Sequence, residues 1–382
     1  MLASRAAHCR ALLALLGPGR DRPASGFDDD DWAALDELAA AHRLQPRLHA
    51  LHRDHQTIPA AVRANWQAAH RGSAIQALAQ HAELVECCAV LQADGFAPIA
   101  LKGAWLARHA YAHPAERPLR DLDLLLDPDS VIPAYERLLA AGYRPYEAQT
   151  VPLADTIAQY RHLPMLLAPR GTLIELHQWL WEPANGPTGA VAGEAEDRMR
   201  AGAIMRDGVR YPAPADLLDH LVIHALYSHR LDCGPLVLSD LALLADSTPV
   251  DWPDWWTRAQ TGGWATGAAL LFALSHRYHG PNALPASAPD GLTPDEAVLE
   301  AATALLLPMP YSTGGTHGMG QALHGGVHGL ITRFRGLATP YEGGFLRWLA
   351  SRTARHAPRL LSRQFRAQAR DHARLTAWLE RQ

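Results

Sequence analysis

Asp121 and Asp123 stand two residues apart in the apolar run Pro118-Leu-Arg-Asp-Leu-Asp-Leu-Leu-Leu-Asp127. In an extended strand, side chains at i and i+2 share a face, so both carboxylates point one way while Leu122, Leu124 and Leu126 point the other. Two carboxylates held together repel unless positive charge lies between them. Hard oxygen ligands suit Mg²⁺, and metals so held can clamp the attacking and leaving oxygens of a phosphoryl displacement. Asp127, Pro128 and Asp129 read as a turn ending the strand.

Some twenty residues upstream lies Pro98-Ile-Ala-Leu-Lys-Gly-Ala104. The chain has 35 Lys and Arg residues, and Lys102 is the single lysine among them. In a composition rich in Ala, Arg, Leu and Pro, of the kind a GC-rich genome produces, a retained lysine points to a place where the arginine fork does not fit. Lysine is a compact, flexible point charge. Beside Gly103 it suits a phosphate-binding turn.

The order of elements supports these groups. Residues 97–102 read as a short buried strand and Gly103 as a turn. Residues 104–112 read as a helix, and the Asp-x-Asp strand follows a loop containing Arg117 and Pro118. Leu101-Lys102-Gly103 followed by Asp121-Leu122-Asp123-Leu124-Leu125 resembles the uncharacterised bacterial nucleotidyltransferases of the polymerase-β-like superfamily. Lys-Gly stands where the wider superfamily has Gly-Ser or Gly-Gly, and residues roughly 85–245 carry the likeness. The resemblance implies a small mixed β-sheet core, two Mg²⁺ ions bound by Asp121 and Asp123, and an NTP co-substrate, with ATP favoured. It also implies a third acid on a later strand. Glu175 fits, in Gly171-Thr-Leu-Ile-Glu-Leu-His-Gln-Trp-Leu180, where Thr172, Leu173, Ile174 and Leu176 favour a strand.

His177 shares the Glu175 face and is a candidate to orient the acceptor or act as base. His220 and His224 share a face of the helix predicted over 215–224. That region resembles the helices after the family core that approach the nucleotide, so His224 is placed on the acceptor side. Lys102 and the Gly103 amide are assigned to phosphate. Arg120 is assigned to phosphate or to an ion pair with Asp127. The four cysteines, Cys9, Cys87, Cys88 and Cys233, form no Cys-x-x-Cys, and there is no His-Glu-x-x-His, so zinc is not expected.

The expected class is α+β: a nucleotidyltransferase core flanked by helical regions, divided as 1–84, 85–213 and 214–382. Helices are predicted over 30–43, 62–71, 75–94 and 131–141. A strand containing Arg161 and His162 is predicted over 156–167, and a connection with a hairpin near 205–211. The Ser312–Gly329 stretch, rich in Gly and His, reads as a surface loop rather than a P-loop, since no Gly-Lys-[Ser/Thr] closes it.

A net charge of −4 gives no broad pull on nucleic acid. The run Ala11–Leu16 is too short to cross a bilayer, and sparse cysteines argue against a disulfide framework. The expectation is a cytoplasmic transferase acting on a small-molecule or peptide acceptor, of unspecified oligomeric state. Two other classes remain open. One is a non-catalytic, antitoxin-like module with the same fold. The other is an RNA-modifying transferase, prompted by the arginine-rich tail over 351–382.

Overall fold

The computed structural model describes residues 4–17, 26–181, 190–284, 288–308 and 363–381. Four helices precede the sheet: α1 (Arg5–Leu15), α2 (Asp29–Ala41), α3 (Gln45–His52) and α4 (Ala60–Ala93). The core then runs β1 (Ile99–Ala100), α5 (Gly103–His109), β2 (Asp121–Leu125), α6 (Val131–Ala140), β3 (Arg144–Pro145), α7 (Leu153–Ile157), β4 (Leu166–Leu167) and β5 (Leu173–His177). Next come α8 (Ala190–Ala201) and the hairpin β6 (Ile204–Arg206) and β7 (Val209–Tyr211). The remainder is helical: α9 (Pro214–Ile223), a π-helical segment His224–Ser228, α10 (Leu236–Ser247), α11 (Trp252–Thr261), α12 (Ala265–His279), α13 (Glu296–Leu306) and α14 (Arg363–Leu379). The class is the α+β one expected, with helices flanking a mixed sheet of seven strands ordered β3-β4-β5-β2-β1-β7-β6.

The strands that matter lie in mid-sheet. β2 pairs in parallel with β5, Asp123 opposite Glu175, and antiparallel with β1. The alternation expected of β2 is present: Leu122, Leu124 and Leu126 are buried beneath the sheet with Ile174 and Leu176. These join one continuous apolar cluster reaching from Cys9 to Leu379.

The four consecutive aspartates Asp28–Asp31 form a helix start. Asp28 accepts from the Asp31 amide at 2.9 Å, the reciprocal bond is also made, and three carboxylates in the first turn favour the positive end of the helix dipole. Trp378 of α14 donates to the Thr266 carbonyl at 2.9 Å, and Leu375, Trp378 and Leu379 are buried, while Arg363, Arg366, Arg370 and Arg374 stay exposed. Among the described residues no helix is long and apolar enough to cross a membrane.

Several local expectations need correction. The helices predicted over 62–71 and 75–94 are one helix of 34 residues, because Gly72 and Ser73 are too weak a break against the strong formers around them. Within 156–167 the chain forms the end of α7 and the two-residue β4, and His162 reaches β5 only through an isolated bridge to His177. The connection over 182–213 contains α8, whose Ala- and Glu-rich sequence outweighs its glycine. The 312–329 stretch and the tail before Arg363 lie outside the described residues.

One buried ion pair ties the elements together. Asp240 of α10 accepts from Arg117 Nε and Nη2 at 2.8 and 2.9 Å and from the Tyr111 hydroxyl at 2.7 Å. Removing one partner of a buried pair leaves uncompensated charge, which costs about 3–5 kcal/mol. Asp240→Ala is therefore expected to lose about that much in urea unfolding. A loss below about 1 kcal/mol would mean the pair is not structural.

Candidate active site

The site begins where β1 turns into α5. Leu101 extends the ladder through its amide, which donates to the Asp123 carbonyl at 2.9 Å, and the chain then reverses at Lys102. Lys102 has φ +46°, a region most side chains avoid, and holding a non-glycine residue there costs on the order of 1–3 kcal/mol. Gly103 has the opposite problem. A β-carbon there would come within 2.5 Å of Arg117 Nη1 and of Leu119 Cδ2, so a larger residue would have to displace the Arg117 guanidinium that Asp240 holds.

The reversal carries the Lys102 ammonium to 2.9 Å from Asp123 Oδ2. From β5, His177 Nε2 donates to Asp123 Oδ1 at 2.9 Å and lies 3.3 Å from Glu175 Oε2. Asp123 is 7% exposed and His177 1%. Burial pushes the Asp123 carboxyl up, but Lys102 and His177 outweigh it and hold it well below the ordinary carboxylate range. Burial opposes charge on His177 too, yet the neighbouring Asp123 raises it, so the ring is favoured as an imidazolium. Glu175 is lowered, its burial overcome by the His177 hydrogen bond. Among the described residues Asp121 has no such hydrogen-bond partner. Burial, then repulsion from Asp123, lifts it to about 6.

Ligand atoms of Asp123, Glu175 and His177 all lie within 4.8 Å of one another, a spacing able to hold a metal ion. Asp121 sits one strand position along on the same face, two residues before Asp123. The donors are dominated by hard carboxylate oxygens, which fits Mg²⁺.

These groups open into a cavity of about 420 Å³, also lined by Gly103, Arg120, Arg161, His162, His224 and His229. The structure thus brings Asp121, Asp123, Glu175, Lys102, Gly103, Arg120 and His224 to one cavity, with His177 directly beneath its acids. Arg120 is not paired with Asp127, whose carboxylate accepts from Arg200 at 3.1 Å instead.

Of the histidines near the site, His220 and His224 were singled out from the sequence, whereas His229 was not assigned to it. The rings of His224 and His229 are 4.2 Å apart, and fully buried His220 lies 5.8 Å from His224. Burial, then the charge of Lys102, pushes His224 well below and His229 down to about 4, so both are neutral at neutral pH. A π-helical turn carries His224, and Arg230 and Leu231 follow at φ +49° and +72°, so the chain bends sharply to bring His229 inward. Neither irregularity leaves a sequence signature. Arg161 and His162 were visible in the Gln-Tyr-Arg-His-Leu run, but nothing local tied them to the acids.

A family model described as an uncharacterised nucleotidyltransferase matches residues 28–280. The match extends well beyond the 85–245 segment that carried the resemblance, taking in α2 to α4 and all of α12. No curated protein and no solved structure matches the chain.

Asp121 supplies a test free of any ligand. A carboxyl raised from 3.8 to about 6 stays protonated in the folded chain where the unfolded chain has already ionised. Its stabilising contribution is thus present below about pH 4 and lost as pH rises through about 6. Asp121→Asn should abolish that slope and raise the metal-free stability at pH 7.5 by up to about 3 kcal/mol. Urea unfolding at pH 4.5 and 7.5 measures this, and an unchanged slope in the variant would contradict it.

Proposed function

The chain belongs to the uncharacterised nucleotidyltransferase family, and from that premise we propose a Mg²⁺-dependent reaction. A nucleoside monophosphate, from ATP as the first candidate, passes to a hydroxyl or similar group of a small-molecule or peptide acceptor. The observation that carries this reading is the parallel β2–β5 register. It lines up three acids on one sheet face beside the only lysine in the chain.

Asp121, Asp123 and Glu175 would hold the metal ions, two of them in this reading. Bound there, Mg²⁺ supplies charge neutralisation for the phosphates and for the oxygens that attack and leave. Lys102 would exchange Asp123 for a phosphate oxygen, a short swing for a flexible ammonium, and the Gly103 amide would donate to the same group. His177, holding its proton beneath Asp123 and Glu175, would keep those carboxylates in place and fix their orientation. The acceptor oxygen bonds to the α-phosphorus, the bond from that phosphorus to the bridging oxygen breaks, and pyrophosphate leaves. The acceptor's proton would pass to Glu175 or to His224, both unprotonated at neutral pH. Residues 1–84 and 214–382 would frame the acceptor side of a core at 85–213.

Calorimetric titration of ATP, GTP, CTP and UTP with Mg²⁺ tests the reading. The double variant Asp121→Ala/Asp123→Ala should lose binding altogether, and omitting Mg²⁺ should have the same effect. Lys102→Arg keeps the charge but not its shape, and should lower nucleotidyl transfer by about 10²-fold while unfolding normally. If no NTP binds the wild type with Mg²⁺, the proposal fails. Wild-type turnover in Lys102→Arg would remove the role assigned to the lysine.

A further inference from the structure

Among the described residues four helices end in the same backbone motif, and one uses the wrong residue for it. After α4, α6 and α11 the left-handed position is glycine: Gly95 at φ +84°, Gly142 at +96° and Gly263 at +72°. In each, the following amide donates five residues back, Phe96 to Leu91, Tyr143 to Leu138 and Trp264 to Ala259. After α2 the same bonds form, Arg43 to Ala40 at 3.0 Å and Leu44 to Ala39 at 2.8 Å, but the left-handed residue is Arg43 at φ +57°. Glycine is strongly preferred at this position because any β-carbon is crowded there. An arginine at this position is there for its side chain.

That side chain lines the cavity, as does Arg120. Among the described residues neither guanidinium makes an ion pair or hydrogen bond. Partial burial, then the charge of Arg120, pushes Arg43 down, with only Asp121 opposing. Two unpaired guanidiniums placed to repel one another are stabilised when an anion bridges them, and the planar fork suits phosphate. Two Mg²⁺ ions, Lys102, Arg161 and the His177 proton only just balance three carboxylates and a fully ionised nucleoside triphosphate.

We propose that Arg43 and Arg120 form a subsite for the terminal phosphates of the nucleotide, the portion that departs as pyrophosphate. This rests on the nucleotidyl-transfer reading above, and it brings α2 into the active site.

Arg43→Gly tests it, since glycine suits the backbone and removes only the side chain. The expected result is a Tm higher by about 1–2 °C, together with at least tenfold weaker calorimetric binding of ATP and of pyrophosphate, and unchanged binding of AMP. Arg43→Lys should retain part of the affinity and none of the gain in Tm. Unchanged pyrophosphate binding in Arg43→Gly, or an equal loss for AMP, would overturn the subsite. So would a lowered Tm, which would mark Arg43 as structural. Pyrophosphate that still binds wild type saturated with ATP would overturn it in favour of an anionic acceptor. Titrating pyrophosphate in EDTA separates this subsite from the metal site. Pyrophosphate binding that Arg43→Gly abolishes, in a protein that binds no NTP, would overturn the nucleotide assignment together with the nucleotidyl-transfer reading and leave only a phosphate site at the arginines.

Discussion

A carboxylate buried in the middle of a sheet is costly unless positive charge is brought to it, and Asp123 draws that charge from two other stretches of chain. Lys102 arrives from the end of β1 and His177 from the end of β5, each at 2.9 Å. Much of the local architecture can be understood as meeting this demand. The positive φ at Lys102 is the turn that aims the ammonium inward. Gly103 lets that turn close against Arg117, and Arg117 is fixed by Asp240 from α10. The parallel pairing of β2 with β5 sets His177 beneath Asp123 rather than elsewhere.

Charge is met unevenly around this centre. Asp123 and Glu175 are held ionised, whereas Asp121 has lost water without gaining a hydrogen-bond partner among the described residues. The histidines divide in the same way: Asp123 favours the protonated form of His177, while burial and then the charge of Lys102 leave His224 and His229 neutral. Stability is being spent locally at Asp121 and Lys102, as is common where a site is shaped for a ligand rather than for itself.

What could be read from the sequence was what is local and periodic. Asp121 and Asp123 with their intervening leucines announced a one-sided strand, and Glu175 and His177 did the same, because period-two patterning is written in consecutive residues. Gly142, directly after the helix predicted over 131–141, takes the left-handed conformation that ends α6. The Arg117–Asp240 pair spans 123 residues, and nothing near either member predicts the other. Arg43 was hidden differently: its oddity lies in a backbone angle, invisible until the helix end is seen. Helix α8 was obscured by the glycine and alanine around it, which read as a linker. Arg120 was assigned a choice of partners, and Arg200 settled one of them by taking Asp127 from a segment that had not been read as helical.

The β2–β5 ladder has one more consequence. Leu122, Leu124, Ile174 and Leu176 bury one face of the strands whose other face carries the acids. Side chains alternate strictly, so a slip of one residue would drive carboxylates into the apolar layer and leucines into the cavity. Assembly and chemistry are therefore proofread by the same alignment: a mispaired chain is poorly packed as well as inert, and is the more readily unfolded for it. The two strands can accept substitution one face at a time, but a single-residue insertion or deletion in either would alter both faces at once. Lineages of this site should accordingly drift by replacement within the strands and change length only in the connections between them.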